Sequence, residues 1–313
     1  MHDSVLRTTR RINLDTSGNQ LMGAHSFEPS ISDDGRYVAY ATAAGNAAVN
    51  WSGNGSRQVV LIDRDANGDG NWDQPADLSL SQLVTVAMTP GTGANALSRY
   101  PRISGDGSCV TVESSAANLV ANDNNGRIDI FVRDRTTSAT TRVSVDDFGT
   151  QADRDCLLPR ISTNGRFVVF DSISTNLDVT QLDPSQADVF LHDRQSGTTR
   201  RVSQSSFYGP LVTEGVQAGV TDDGRFVAFR TSSAFDPIDG NFRWDVYVKD
   251  RICLETIAPR QTGQPFESVT EPISSRASGA LGAPNVPPPF GSIFGTVESG
   301  SDRSASSFFR SEA

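Results

Sequence analysis

Short runs of alternating apolar and polar residues recur along this chain, and turn-forming residues separate them. Arg36–Thr42 reads RYVAYAT, and Asp188–Asp193 reads DVFLHD, in which Val189 and Leu191 share one face. Alternation of this kind, rich in β-branched and aromatic residues, indicates half-buried β-strands. The pattern therefore predicts a protein built from short strands.

Two short sequence motifs, called phrases below, each occur four times in the chain. The first centres on an Asp-Gly or similar turn, and the second ends in Asp-Arg. The first phrase occurs at Ser32–Tyr40, Ser104–Val112, Ser162–Phe170 and Thr221–Phe229, and the second at Gln58–Arg64, Asp129–Arg135, Asp188–Arg194 and Asp245–Arg251. The turn glycines, numbered 35, 107, 165 and 224, are 72, 58 and 59 residues apart. A nearly fixed period of this length indicates a repeat architecture.

Each repeat contains the same four strands in the same order. A segment ending in Pro-x-Ile-Ser, or in AGVT at Ala218–Thr221 of the last repeat, comes first, then the turn, a second apolar run, a polar loop and the third strand. The last strand reads Thr-Thr-Arg-Val-Ser at Thr140–Ser144, with a close copy at Thr198–Ser203. Asx-Gly pairs supply the positive φ angles of tight hairpins, and four short strands per repeat are typical of a propeller blade. The sequence thus predicts an all-β fold, a β-propeller with four legible blades of about 59 residues.

The two ends of the chain carry weaker blade signals. Thr8–Asn13 (TTRRIN) matches the fourth strand at Thr198–Ser203 (TTRRVS) and is predicted to be an N-terminal strand that closes the ring by completing a blade begun by the other end. Such closure hides sheet edges. We expect the propeller over residues 1–258. The Ser/Gly/Pro-rich tail, residues 259–313, is interpreted either as a linker-like, disordered segment or as a degenerate closing blade.

These motifs resemble the TolB-like (WD-like) β-propeller repeats of bacterial proteins. The resemblance rests on Pro29–Tyr40, Asp188–Arg194 and Thr140–Ser144, and it covers about residues 8–258. It implies a propeller of a family whose rings usually have more than four blades, so the chain is expected to form part of a larger ring or to be a fragment. It also suggests a periplasmic or extracellular location. Function is a property of sites carried by the fold, so the resemblance alone specifies none.

An Asp-rich insertion lengthens the first repeat. Its oxygen-bearing residues alternate, and a glycine stands at the sixth position, as in calcium-binding loops. The candidate ligands are Asp65, Asn67, Asp69, Asn71 through its carbonyl, and Asp73. Ala76 occupies the position of the usual bidentate acid, and Asp77 follows one residue later. The alternative is a hairpin closed by Asx turns without an ion.

A second acidic set lies before the third strands. Its members are Asp123, Asn125 and Asp129 in the second repeat, Asp183 and Asp188 in the third, and Asp239 and Asp245 in the fourth. Clustered carboxylates repel one another unless a cation or hydrogen bonds relieve them. Calcium is therefore the predicted cofactor here too, and caps on backbone N–H groups are the alternative.

Charge and hydropathy narrow the possible partners and compartments. A net charge of −10 argues against nucleic acid and anionic membranes as partners. The sequence has no apolar run of transmembrane length, and its first residues lack the apolar centre of a signal peptide. Taken as a true start, this N-terminus predicts a cytoplasmic protein, in contrast to the family resemblance.

Catalytic motifs are sparse. The histidines are His2, His25 and His192, and His192 is expected to face solvent. No nucleophile elbow or phosphate-binding loop is present. The repeated Asp-Arg pairs are interpreted as strand-end ion pairs and turn caps. The predicted function is a non-enzymatic binding or structural module for a protein or surface polymer. The alternative is a propeller-type hydrolase or lyase acting on sugar or peptide at the central channel.

Aromatic residues cluster in two loops of the last repeat. Phe207, Tyr208, Phe242 and Trp244 form the candidate ligand-binding surface, with Phe235 nearby in sequence. Exposed aromatic rings suit carbohydrate or protein contacts. The alternative is that these rings fill the core between blades.

Overall fold

The computed structural model describes residues 2–3, 7–49, 51, 53–89, 91–178, 185–204, 216–235, 243–251 and 270–272. Within these ranges, four antiparallel sheets of four strands follow one another along the chain, and we call them blades 1 to 4. In each blade, successive strands pair in sequence order. The predicted β-propeller architecture of four-stranded blades is confirmed.

The element bounds are as follows. A short hairpin comprises β1 (His2–Asp3) and β2 (Thr8–Thr9). Blade 1 comprises β3 (Ser26–Ile31), β4 (Tyr37–Thr42), β5 (Gln58–Asp63) and β6 (Gln82–Leu83), with helix α1 (Pro75–Leu78) before β6. Blade 2 comprises β7 (Ser98–Ile103), β8 (Cys109–Ser114), β9 (Asp129–Asp134) and β10 (Ala139–Arg142). Blade 3 comprises β11 (Cys156–Ile161), β12 (Phe167–Ser172), β13 (Asp188–Asp193) and β14 (Thr198–Arg201). Blade 4 comprises β15 (Val216–Val220), β16 (Phe226–Thr231), β17 (Asp245–Asp250) and β18 (Thr270–Pro272).

The recurring Ser-x-Asp-Gly phrase folds into the hairpin between the first and second strands. In blade 2, Gly107 has a φ of 71° and its N–H bonds to the Ser104 carbonyl at 2.9 Å. Asp106 accepts hydrogen bonds from the Ser104 hydroxyl at 2.5 Å and from the Ser108 N–H at 2.9 Å. Because an L side chain is strained at this φ, glycine is required at the turn.

The core lies between blades, so most central strands are buried on both faces. Between blades 2 and 3, Val132, Phe170 and Phe190 belong to one fully buried cluster. Between blades 3 and 4, Phe229 and Tyr247 belong to a second buried cluster. Burying a side chain of this size stabilises a fold by about 1.5–3 kcal/mol. These interfaces hold neighbouring blades together.

The turn glycine of one blade packs on the blade before it. A Cβ atom on Gly224 would lie 2.6 Å from the ring of Phe167, the first residue of β12. Gly107 approaches Tyr37 in the same way, whereas Gly165 meets the Cys109 sulfur, with its Cβ position 3.1 Å away. We call these the glycine–aromatic contacts, with a thiol replacing the ring in one of them. They require glycine for space as well as for φ.

One face of the first blade is covered by no other blade of the described structure. Ile31 is 45% exposed, whereas its equivalents Ile103 and Val220 are 7% and 8% exposed because the preceding blade covers them. A cleft of about 460 Å³ lies over this face and is lined mainly by apolar residues, among them Phe27 and Tyr40.

The N-terminal strand pairs differently from the prediction. Thr8–Thr9 pairs with His2–Asp3 in a separate two-stranded sheet. In the degenerate-blade interpretation, the first three strands of the closing blade fall in the tail, which lies outside the described residues apart from 270–272. Closure of the ring by this strand therefore stays a prediction. Thr270–Pro272, from the predicted tail, pairs with β17 as the fourth strand of blade 4.

Helix is almost absent from the described residues. The helix found in the described ranges is α1, of four residues, and none there has the length and apolar character needed to cross a membrane.

Candidate ligand-binding surfaces

The repeated Asp-Arg pairs brace the hairpin turns. In blade 3, Asp193 accepts two hydrogen bonds from Arg166, at 2.8 and 2.7 Å, while Arg194 donates to the Gly165 carbonyl at 2.6 Å. The arginines at 64, 135 and 251 donate to the turn glycines of their own blades in the same manner. The Arg166 hydrogen bonds hold the pKa of Asp193 well below its usual range. The structure thus places these charges in structural roles, as ion pairs and turn caps.

The Asp-rich loop after β5 is closed by its own hydrogen bonds. Asp65 accepts the Gly70 N–H at 3.1 Å, and Asp69 accepts the Asn71 N–H at 2.7 Å. The side-chain amide of Gln74 donates to both oxygens of Asp69, at 3.1 and 2.9 Å. These bonds, led by that of Asn71, lower the pKa of Asp69. The arrangement has the Asx turns of the ion-free alternative.

Two carboxylates at the end of this loop stand in contrasting surroundings. Asp73, expected at the ninth ligand position, accepts two hydrogen bonds of 2.7 Å from Arg64, and both side chains are nearly buried. Asp77 is 1% exposed; its Oδ1 accepts the Asn67 N–H at 3.1 Å, and its Oδ2 has no hydrogen-bond partner. A buried carboxylate oxygen without a partner is costly. Sequence reasoning left Asp77 out of the ligand set because it stands one position late.

In the second acidic set of blade 2, an arginine lies among the carboxylates. Arg142 lies 3.1 Å from Asp123 and 3.6 Å from Asp129. Asp129 also accepts hydrogen bonds from Asn125 at 2.9 Å and from Ser144 at 2.5 Å. Burial raises the pKa of both carboxyl groups. The guanidinium supplies positive charge at the place where the sequence suggested a cation.

Blade 3 repeats this arrangement deeper in the protein. Arg201 and Asp188 form an ion pair of 3.2 Å in which both side chains are 0% exposed. The Ser203 hydroxyl donates to Asp188 at 2.6 Å. In blade 4, the Oδ2 atom of Asp245 is buried without a hydrogen-bond partner. Asp183 and Asp239 lie outside the described residues. In the part of the chain that is described, no group of three or more His, Cys, Asp or Glu side chains is placed to hold a metal ion.

The predicted aromatic surface is represented by one residue. Trp244 is 49% exposed, and the Arg230 guanidinium stacks over its ring at 4.6 Å. Phe207, Tyr208 and Phe242 lie outside the described residues. Phe235 is fully buried against Phe229 and Tyr247, as the core alternative anticipated.

His192 does not face solvent, and that expectation was wrong. It is 6% exposed, and its Nδ1 lies 2.9 Å from the Thr199 hydroxyl. Both faces of β13 are covered, so strand alternation did not predict exposure here. Burial lowers the pKa of His192 to about 4.

This shift predicts acid sensitivity of the fold. The unfolded histidine, with a pKa of about 6.5, takes up a proton that the folded one resists. The stability contributed by neutral His192 is therefore present above about pH 6.5 and falls as the pH drops toward 4. We expect His192→Gln to reduce the acid-induced loss of unfolding free energy by up to about 3 kcal/mol, measured by urea unfolding at pH 4.5 and 7.5. His25→Gln, at an exposed position, is the control. Equal acid dependence in both variants would contradict the assignment.

Sequence reasoning missed a surface formed by the first strands. Strands β3, β7, β11 and β15 lie side by side, and we call their surface the inner wall. Each has an irregular register at one left-handed residue. These residues are Glu28 (φ 56°), Tyr100 (49°), Leu158 (53°) and Gln217 (57°). Bulges of this kind redirect the chain and often lie near functional sites.

Carboxylates join the bulges of neighbouring blades. In each case an acid on one blade accepts the bulge N–H of the next. The pairs are Glu28 with Tyr100 at 2.7 Å, Glu113 with Leu158 at 2.8 Å, and Asp171 with Gln217 at 3.0 and 3.2 Å. Glu113 and Asp171 hold the same position of the second strand, where the other blades have Ala41 and Arg230. Burial raises the pKa of Asp171 to about 7. The one sequence signal for this wall was the charge variation at that repeat position.

Comparison with known proteins adds the following. No protein-family model matches the sequence, and no match was found among curated proteins. Similar solved structures include TolB from Acinetobacter baumannii, the β-propeller domain of the Trilobed protease from Pyrococcus furiosus, and an acylaminoacyl peptidase from Pyrococcus horikoshii. Their identities are 16%, 13% and 13%, and their TM-scores 0.40, 0.38 and 0.37. The matches cover 72%, 72% and 75% of this chain and 41%, 54% and 32% of the others.

The chain spans about two fifths of the length of TolB, 41%. TolB and other β-propeller proteins are thus among the similar structures. The blade assignment itself rests on the strand pairings of this chain.

Proposed function

We propose that the chain is a non-enzymatic binding module whose ligand meets the inner wall. The observation that carries this is the variation at the bulge position of the first strands, Glu28, Tyr100, Leu158 and Gln217, where side chains that are not buried vary on an otherwise repeated frame. Repeat proteins commonly bind through surfaces on which a constant framework carries variable side chains. The proposed partner is a protein or a surface polymer. The hydrolase or lyase alternative stays a prediction.

The proposal includes calcium at the Asp-rich loop of blade 1. In its support, Asp77 offers a buried oxygen without a partner, and Asp65, in the same closed loop, is 7% exposed. The side chains of Asn67 and Asp69 would add oxygens of the kind calcium prefers. Asp73 fits poorly because Arg64 occupies both its oxygens. We therefore assign the acidic ligand at the end of the loop to Asp77 rather than to Asp73.

Such a loop suits a protein outside the cytoplasm. Extracellular modules bind calcium with dissociation constants of about 0.1–1 mM, which match the concentrations found there. A periplasmic or extracellular location is accordingly part of the proposal.

Calcium is expected to raise the melting temperature. A site with a dissociation constant of about 0.1 mM would stabilise the fold by about 1.8 kcal/mol at 2 mM ion. For a domain of this size, that corresponds to about 4–7 °C. Melting followed by circular dichroism in EDTA and in 2 mM calcium measures the shift. A cooperative melt with no shift would contradict the calcium site.

Two variants make the test specific. Asp77→Asn is expected to abolish most of the calcium-induced shift. Asp146→Asn is the control, because Asp146 closes a similar turn by accepting the Phe148 and Thr150 N–H groups, at 2.9 and 2.7 Å, in a loop without the acidic set. An equal calcium response in both variants would remove Asp77 from the site.

A further inference from the structure

Two arginines of the inner wall form no ion pair with a carboxylate of the described residues. Arg102 and Arg160 occupy the variable position of Pro-x-Ile-Ser on the neighbouring strands β7 and β11. Each guanidinium donates a hydrogen bond to the carbonyl of its own preceding proline, Pro101 at 3.0 Å and Pro159 at 3.1 Å. No ion pair within 4.0 Å joins either one to a described carboxylate, in contrast to most half-buried arginines of the blades.

The acids nearest to this pair are already engaged. Glu28 pairs with Arg57 at 3.3 Å, and Glu113 with Arg99 at 2.5 Å, besides the bulge N–H groups that they accept. Asp171 lies near enough to favour the charge of Arg160, but both its oxygens accept the Gln217 N–H. The four strands of the inner wall carry three arginines, Arg99, Arg102 and Arg160, and one acid, Glu28, in a chain whose net charge is −10.

The positive charges of the two guanidinium groups repel each other. Both side chains are partly buried, and burial lowers the pKa of each. For Arg102, the neighbouring Arg160 contributes to a pKa of about 10. None of their nitrogens is among the buried atoms that lack a partner, so their free N–H groups are reachable from solvent. Like charges in such a position are relieved when an anion bridges them.

We propose that Arg102 and Arg160 form an oxyanion-binding site on the inner wall, which takes a carboxylate or phosphate group of the ligand. Guanidinium groups bind such oxyanions through paired, charge-assisted hydrogen bonds. This inference rests on the binding function proposed above and specifies the chemistry of the ligand. It is independent of calcium, because the Asp-rich loop and the inner wall share no residue.

The test is a titration of the full chain by isothermal calorimetry at pH 7. Inorganic phosphate and acetate are the two probes, each compared with sodium chloride at the same ionic strength. We expect saturable binding of at least one probe, with a dissociation constant on the order of millimolar. Phosphate alone, or acetate alone, would identify the group that the site prefers.

Variants decide whether the binding belongs to this site. Arg102→Gln with Arg160→Gln is expected to weaken it more than about tenfold, because two charge-assisted donors are lost. Arg127→Gln is the control, since it removes one charge from an exposed position of blade 2. If the double variant does not fold, Arg102→Lys is tested instead. It keeps the positive charge but loses the paired N–H donors of the guanidinium, so it is expected to bind the probe severalfold more weakly.

The remaining outcomes would contradict the oxyanion site, the calcium loop or both. No saturable binding of either probe, or the same affinity in wild type and the Arg102/Arg160 variants, would overturn the site. Loss of oxyanion binding with an intact calcium response would leave the loop proposal standing. If the wild type binds neither oxyanion nor calcium although it melts cooperatively, the proposed function fails as well.

Discussion

Replacement of Arg201 by alanine is expected to lower the free energy of unfolding by about 3–5 kcal/mol. The guanidinium lies 3.2 Å from Asp188, and both side chains are completely shielded from solvent. Without Arg201, Asp188 would keep the Ser203 hydroxyl but would lose its ion pair with the guanidinium. Urea unfolding at pH 7, followed by fluorescence, measures the change.

The adjacent residue provides a matched control. Arg200 lies 2.6 Å from Asp147, closer than the buried pair, but the two side chains are 51% and 33% exposed. Because solvent screens this pair, Arg200→Ala is expected to cost less than about 1 kcal/mol. A double variant, Arg201→Met with Asp188→Leu, should recover much of the loss, since a buried ion pair is often replaceable by apolar packing. Equal effects of Arg200→Ala and Arg201→Ala would contradict the role of burial.

Substitution of Gly224 by alanine is expected to destabilise the protein by about 2–5 kcal/mol. The positive φ of 67° costs an alanine about 1–2 kcal/mol. The added methyl group, 2.6 Å from the Phe167 ring, forces a shift at the interface of blades 3 and 4 that costs about 1–3 kcal/mol more. Urea unfolding at pH 7 measures this loss of unfolding free energy.

The variant Gly197→Ala separates the cost of the positive φ from the cost of the close approach to Phe167. Gly197 has nearly the same φ, 71°, and an added Cβ would meet nothing within 4 Å. Both N–H groups donate one turn hydrogen bond, at 2.9 Å for Gly224 and 2.8 Å for Gly197. The difference between the two variants therefore measures the contact with Phe167. If the two alanines cost the same, the close approach contributes nothing.

The blades could be predicted because their determinants are local. A Ser-x-Asp-Gly phrase fixes its own hairpin: Ser104 and Asp106 bond to each other and to the turn, and Gly107 alone tolerates the required φ. The Asp-Arg phrase was predicted to serve as ion pairs and caps for a similar reason. Its charges lie at a strand end, where the hairpin of the same blade supplies their partners.

The site was less predictable because its contacts join different blades. Nothing near Glu113 in the sequence indicates that its carboxylate accepts the N–H of Leu158, in the next blade. Nor does strand alternation reveal which face of β13 meets solvent, since both are covered, and so His192 was misplaced. The acidic set shows a third limit: Asp129 and its arginine, Arg142, are 13 residues apart, and only the pairing of the last two strands joins them.

The glycine–aromatic contacts have a consequence for the history of such a chain. Each one joins a turn glycine to the first residue of the second strand in the blade before it, so the unit of interaction straddles two covalent repeats. A gene duplication or deletion of one whole repeat, with breakpoints at equivalent positions, would recreate a matching contact at the new junction. The junction between blades 2 and 3 departs from the others, since Gly165 meets the Cys109 sulfur at a looser distance. If a different blade preceded blade 3, its aromatic ring would meet Gly165 where the smaller Cys109 thiol now lies, so exchange of blade 2 would need a local adjustment at this junction.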